Sequence, residues 1–414
     1  MSQTNILQDL LGIQGWRITE NGIRIEDNGT VSVRIEPQPG GGHVCSRCGD
    51  GVLFAYDHEP VRRIRDFPLW GRRCWLEVAL ARVWCGRCGA VVVERLEWVE
   101  PYARQTLRYE RYVASLCGLM PVLDVARLEG VGKNTVYEID RRWLERREAL
   151  RPEREVKRLG IDEIAIRKQH HYATVFYDLD RREVIGLVAS RRERAVSGFF
   201  RRWGRARCRA VEAVCMDLWS PYLNAVRRHL KRAEVVFDKF HVYGYLSEAI
   251  EALRRHEQGA AHEAMAKLLK GTRWLWLKAP GSLKRKEKYT LAEIMRVNRR
   301  LARAYILRED FEGFYACADR EEASRFLQAW TTRCVRSRLE PFIKLARRLR
   351  RWSAGILAYF THRITNGVSE GINNKIKVLK RRAYGFHDLR YFMLKILEAT
   401  GALPPLEAVR HPQT

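Results

Sequence analysis

The sequence predicts a multidomain α/β protein, and three observations carry that prediction. Short alternating runs with two Cys-x-x-Cys pairs fill the first quarter of the chain. Helical periodicity then takes over from Gln105, and a second α/β region begins near residue 158. A long helical stretch interrupts that region before the chain ends. The 414 residues, 46% of them hydrophobic, are enough for two or more domains, each with its own core.

Charge narrows the partners. There are 76 Lys and Arg against 49 Asp and Glu, a net of +27. A chain this basic pairs with a polyanion, most commonly nucleic acid. No run of about 18 apolar residues is present, so no membrane-spanning helix is expected. The start, MSQTNILQDLLG, lacks a basic region followed by a long apolar run, so no signal peptide is expected. Ten cysteines in such a chain predict metal ligands or free thiols in a reducing cytoplasm. The expected location is the cytoplasm.

In chain order, residues 6–12 predict a short helix. WRITENGIRIEDNGTVSVRIEP alternates around Asn21-Gly22 and Asn28-Gly29, as β-hairpins do. After PQPGGG come the knuckles Cys45–Cys48 and Cys85–Cys88, each followed by glycine. Four thiolates suit tetrahedral Zn²⁺, and the two-residue spacing lets both sulfurs of a knuckle reach one ion. Residues 1–104 thus predict a zinc-ribbon-like β domain with a structural Zn²⁺. A hairpin is expected between the knuckles, with Cys74 packing against strands.

Residues 105–150 predict a helix-turn-helix. MPVLDVARLEGVGKNTVYEIDRRWL reads as helix, turn with Gly130 and Gly132, then helix. Lys133, Asn134, Thr135 and Tyr137 stand at the start of the second helix, where such motifs meet DNA; a plain αα-hairpin is the alternative.

Residues 151–245 open with a charged connector and then give strands in RLGIDEIAI, HYATVFYDLD and REVIGLVAS. The helical SGFFRRW, the strand RAVEAVCMDLW, the helix YLNAVRRHL and the strand AEVVFDKF follow. A three-strand meander, then helix, strand, helix, strand is the order of an RNase H-like fold, a fold-level analogy. Residues 246–361 predict a helical insertion in which GSLKRKEKY forms an exposed loop. Residues 362–400 predict the return to the core, and 401–414 a frayed tail.

Acids in apolar strands are costly, so they mark chemistry. Asp162 lies in the first strand of this region, Asp217 ends the fourth and Asp238 ends the fifth. In an RNase H-like fold, such carboxylates hold two divalent ions for phosphoryl transfer. Glu163, next to Asp162, should face the other side of its strand.

GIDE, MDLWSPY, VFDKFHV and above all TNGVSEGINNKIKVLKRRAYGF follow paired knuckles and a helix-turn-helix. In that order they resemble the ISL-three family of bacterial insertion-sequence transposases, over nearly the whole chain. The resemblance implies a D-D-E triad of Asp162, Asp217 and Glu370 using Mg²⁺ (or Mn²⁺), with a helical insertion before the glutamate. Asp238 and His241 belong to a motif of that kind with accessory roles. Asp238 supports a metal or orients a neighbour. His241 contacts phosphate, shuttles a proton or is a satisfied structural histidine. Trp274 and Trp276 are candidates to stack on an unpaired base, although alternating aromatics otherwise pack in a core.

On a helix, Ile372, Ile376, Leu379 and Ala383 form one stripe, and Glu370, Asn374, Lys377 and Arg381 nearly the opposite one. Lys375, Lys377, Lys380 and Arg381 are therefore expected to hold DNA backbone next to Glu370. The expected function is a DNA transposase that binds terminal inverted repeats, cleaves the element ends and joins them to target DNA. It should work as a homodimer or larger assembly on DNA. The alternatives are a non-catalytic zinc and helix-turn-helix regulator, or an RNase H-like nuclease without strand transfer.

Overall fold

The computed structural model describes residues 12–167 and 171–409. The expected helix at 6–12 and the last five residues of the tail lie essentially outside them. The chain forms two compact units. One takes the described residues up to Arg151 and from Leu379 onward; the other is Pro152–Val378.

The first unit opens with β1 (Trp16–Ile25), β2 (Val31–Pro37), β3 (His43–Val44), β4 (Gly51–Val52) and β5 (Asp57–His58). It continues with β6 (Arg62–Leu69), β7 (Arg72–Val78), β8 (Ala81–Cys85) and β9 (Ala90–Val93). One sheet has the order β1–β2–β7–β6, and the small sheets β3–β4 and β5–β8–β9 carry the cysteines. The β6–β7 hairpin thus leaves the cysteine module and pairs with the N-terminal strands. Val31, Val33, Ile35, Ile64, Cys74 and Leu76 form the sheet's buried core, so Cys74 does pack against strands. The expected turn at Asn21-Gly22 is instead a bulge inside one strand. Pairing jumps from Ile18↔Ile35 to Ile23↔Val33, so the extra β1 residues bulge out and only Asn28-Gly29 reverses the chain.

Three helices follow: α1 (Leu107–Leu119), α2 (Val122–Glu129) and α3 (Lys133–Ala149). Gly130 ends α2 at φ +64°, a left-handed cap that glycine adopts without a Cβ clash. Val125, Ala126, Val136, Ile139 and Trp143 form the core between these helices.

In the second unit come β10 (Arg158–Arg167), β11 (His171–Asp178), β12 (Glu183–Val188), α4 (Glu193–Trp203) and α5 (Arg205–Ala210). Next are β13 (Ala213–Met216), α6 (Ser220–His229) and β14 (Glu234–Phe237). The sheet order is β12–β11–β10–β13–β14. β10, β11 and β12 form an antiparallel meander, while β13 and β14 run parallel to β10. All four residues of β13 are buried, as expected of a parallel strand covered on both faces. Phe176 stacks on Phe199 of α4 at 3.7 Å, closing one face of the sheet.

Helices then run from α7 (Lys239–Ala260) through α8 (Glu263–Leu269), α9 (Arg273–Leu277), α10 (Arg285–Val297) and α11 (Arg299–Asp310). They continue with α12 (Arg320–Arg336), α13 (Glu340–Arg351), α14 (Ser353–Leu357) and α15 (Tyr359–His362). The stretch expected as an exposed loop, GSLKRKEKY, becomes helical at Arg285. The Glu287 carboxylate accepts from the Lys284 backbone N–H at 2.9 Å and so secures the start of α10.

Two helices close the chain: α16 (Gly367–Arg382) and α17 (Leu389–Ala399). The sequence kept 362–400 with the core, but from Leu379 the chain is part of the first unit. There Tyr391 donates to buried Asp140 of α3 at 2.5 Å, and Lys395 lies 3.2 Å from the same carboxylate. The expected frayed tail is also packed over its described part. Ala402 and Leu403 are buried, and the Pro404 carbonyl accepts from Arg147 at 2.7 Å.

Candidate metal centre and acidic site

The four knuckle cysteines meet. Cys45 and Cys88 sulfurs are 3.8 Å apart, Cys48 and Cys85 3.5 Å, and all four lie within 4.8 Å of one another. Gly49 and Gly89 sit at φ +77° and +62°, the left-handed turn that closes each knuckle. Backbone N–H groups of Cys48 and Arg47 point at the Cys45 sulfur, pulling its thiol down to about 6. A compact thiol group of this kind, with amides favouring thiolate, can hold zinc. Among the described residues no other group of three or more His, Cys, Asp or Glu closes this tightly.

The acids meet by register. Ile161 pairs with Met216, and Met216 with Phe237. Asp162, Asp217 and Asp238 each follow one of those residues, so they occupy the same row on three neighbouring strands. That row is the C-terminal edge of the parallel strands, where α/β sheets present their ligands. Asp162 is held from three directions. Its Oδ1 accepts from the Glu163 N–H at 2.7 Å, and its Oδ2 from Ser369 Oγ at 2.9 Å and Asn373 Nδ2 at 2.8 Å. Burial, then the charge of Asp217, pushes its carboxyl up to about 6. Glu163 faces elsewhere, 3.6 Å from Arg191.

His241 Nε2 lies 2.5 Å from Asp217 Oδ1, and this carboxylate raises the imidazole above its ordinary value. Asp238 is 3% exposed, and its Oδ1 accepts from the Asn366 N–H at 3.2 Å. Burial raises its carboxyl. Both accessory candidates therefore touch the site, one on Asp217 and one on the loop entering α16.

Glu370 lies in the first turn of α16 and is exposed. Its neighbours Ser369 and Asn373 turn to Asp162, so its backbone is at the site while its carboxylate faces solvent. It does not close with Asp162 and Asp217 into a tight ligand group. The helix faces fall as the spacing predicts: Ile372 and Ile376 are buried, while Asn374, Lys375, Lys377 and Arg381 are exposed and Lys380 is half-buried.

Sequence reasoning missed Ser369, Asn373, Asn366 and Tyr177. Tyr177 donates to Asn373 Oδ1 at 2.6 Å, which orients that amide with its N–H toward Asp162. The available signal was register: residue 373 falls beside the apolar stripe of α16, and a buried amide demands partners.

The DNA-contact candidates divide. Lys133 and Asn134 are exposed at the start of α3, and Thr135 is half-buried. Tyr137 instead donates to Asp388 at 2.6 Å, which ties it to the first unit's own packing. Trp274 is 62% exposed, with Arg273 against its ring at 5.4 Å. Trp276 is fully buried and donates to Thr272 at 3.3 Å. It is a core residue and cannot stack on a base.

Comparison with known proteins gives concordant matches. A family model described as a transposase matches residues 159–396, and one described as the helix-turn-helix domain of transposase family ISL3 matches residues 94–144. The chain is similar to the transposase for insertion sequence element IS1001 of Bordetella parapertussis. The two are 30% identical over 403 residues, 96% of this chain and 98% of that protein. It is 27% identical over 445 aligned positions to the transposase for insertion sequence element IS1557 of Mycobacterium tuberculosis, covering 100% of this chain and 99% of that one.

Proposed function

The chain belongs to the ISL3 family of transposases, and from that premise we propose that it cuts and joins DNA at Asp162, Asp217 and Glu370. One observation carries the reading: the helix bearing Glu370 also donates two hydrogen bonds to Asp162, from Ser369 and Asn373. The sheet order, a meander followed by two strands parallel to its first, supports an RNase H-like core. In this reading residues 151–245 and the start of α16 form that core, and the helices of 246–361 are inserted into it.

The acidic row fits divalent ions. Its donors are hard oxygens, and the charge of Asp217 burdens the buried Asp162, a cost that a cation relieves. Two Mg²⁺ (or Mn²⁺) ions, when bound there, would supply activation of the attacking oxygen and stabilisation of the leaving one. Asp162 and Asp217 would hold them from the strands, and Glu370 from α16 after its side chain turns inward. Ser369, Asn373 and the Glu163 N–H fix the direction of Asp162, so little reorganisation is needed during the reaction. Asp238 anchors the loop that delivers α16, and His241 positions Asp217.

The remaining elements divide the DNA between them. Lys133, Asn134 and Thr135 would meet the terminal inverted repeats, and Lys375, Lys377, Lys380 and Arg381 the backbone leading to the acids. Trp274 remains a surface for an unpaired base. Structural zinc on the four cysteines would stabilise the β domain. Joining two ends at once calls for a dimer or larger assembly on DNA.

The test is a strand-transfer assay with labelled element ends, target duplex and Mg²⁺. Joined products are expected. Nicks without joining would leave a nuclease, and binding without nicking a regulator.

A further inference from the structure

A cleft of about 460 Å³ opens in the first unit between the β6–β7 hairpin and the start of α3. Arg63, Arg65, Arg104 and Trp75 line one side, and Gly132 and Thr135 the other. Arg65 is only 3% exposed, and its Nε is buried with no hydrogen-bond partner. A buried guanidinium N–H without an acceptor is costly and uncommon. Arg63 and Arg65 each lie 5.5 Å from the ring centre of Trp75, so the ring already packs against two cations. The lining therefore offers cations rather than a stacking surface.

Two further features point the same way. Gly132 gives α3 no side-chain cap, so the first N–H groups of this 17-residue helix are left to an outside acceptor. Arg104 is exposed on a fixed backbone: its carbonyl accepts from the Arg65 N–H at 2.8 Å, and Thr106 N–H donates to Arg65 O at 2.9 Å. Arg65 is paired behind the cleft with buried Glu129 at 3.3 Å, and the one acid in the lining, Glu26, is hydrogen-bonded to Arg63 at 2.6 Å, which leaves Arg104 as the cation without a carboxylate partner among the described residues.

We propose that this cleft seats one phosphate of the DNA backbone, beside the bases that face Lys133 and Asn134. The inference rests on DNA binding by the helix-turn-helix and not on the catalytic acids. It makes the β6–β7 hairpin part of the DNA footprint, so that the β domain and the helices read one site together. Glu26 is a competing carboxylate that the phosphate displaces from Arg63.

The test measures binding of the full chain to a short duplex of arbitrary sequence across a salt series. Arg104→Ala is expected to weaken binding equally on all sequences with little loss of slope, because Arg63 still faces the same phosphate. Arg63→Ala with Arg104→Ala removes the cleft's two exposed cations and should lower the magnitude of the log K against log salt slope by about 0.9. Glu26→Gln should tighten binding. An unchanged slope in the double variant, or weaker binding by Glu26→Gln, overturns the proposal while leaving the helix-turn-helix reading intact. Failure of the wild-type chain to bind any duplex overturns both.

Discussion

Asp162 carries a strain that can be measured. Burial and Asp217 raise its carboxyl from 3.8 to about 6, so the fold favours the neutral form. Below about 4 both folded and unfolded chains hold the proton, and the group costs nothing. Between about 4 and about 6 the unfolded chain releases it first, and the native state falls behind. Metal-free protein should therefore lose stability relative to Asp162→Asn as pH rises through that window, by on the order of 3 kcal/mol, and then level off. Denaturant titrations at several pH values check this. Added Mg²⁺ should raise the wild-type melting temperature and leave that of Asp162→Asn nearly unchanged. Asn373→Ala leaves the Tyr177 hydroxyl unpaired and Asp162 Oδ2 with Ser369 as its remaining donor, so it should cost about 1–3 kcal/mol and slow cleavage. The placement of Asp162 and Asp217 on one sheet edge was legible in the sequence, because an acid in an apolar strand has few reasons to be there. Asn373 was not, because its role depends on which face of α16 meets β10.

At the scale of elements, the cysteine module and the inserted helices make separate claims. Chelation should expose the knuckle thiols Cys45, Cys48, Cys85 and Cys88 to alkylation. Cys74 should stay unmodified until the sheet unfolds, since burial pushes its thiol up to about 12. Mass spectrometry after mild chelation reads this, and Cys74 reacting together with the knuckles would contradict it. In the insertion, Trp276→Ala should destabilise by about 3–5 kcal/mol. Trp274→Ala should leave the melting temperature unchanged and affect only DNA binding. Helical spacing could not separate these two tryptophans, because α9 is five residues long and shows too little period. The bulge at Asn21 escaped for a related reason: Asn-Gly encodes positive φ equally well in a turn and in a bulge.

For the whole molecule, the charge of +27 and the family agree on DNA as the partner. The order of cysteine cluster, helix-turn-helix and transposase-family region was readable, but the return of the chain from Leu379 to the first unit was not. The residues that make it, Tyr391 and Lys395 against Asp140, look in sequence like one face of any amphipathic helix. That return means one helix, α16, begins with the proposed metal ligand Glu370 and ends in the unit that contains the helix-turn-helix. The central claim is that Glu370 completes the site of Asp162 and Asp217. It is tested most directly by single-turnover cleavage of an element end with saturating Mg²⁺, comparing Glu370→Gln with Asn374→Ala on the same exposed face. Glu370→Gln should lose about a hundredfold or more in rate while binding the DNA as wild type, and Asn374→Ala should cut nearly normally. Undiminished cleavage by Glu370→Gln would contradict the account.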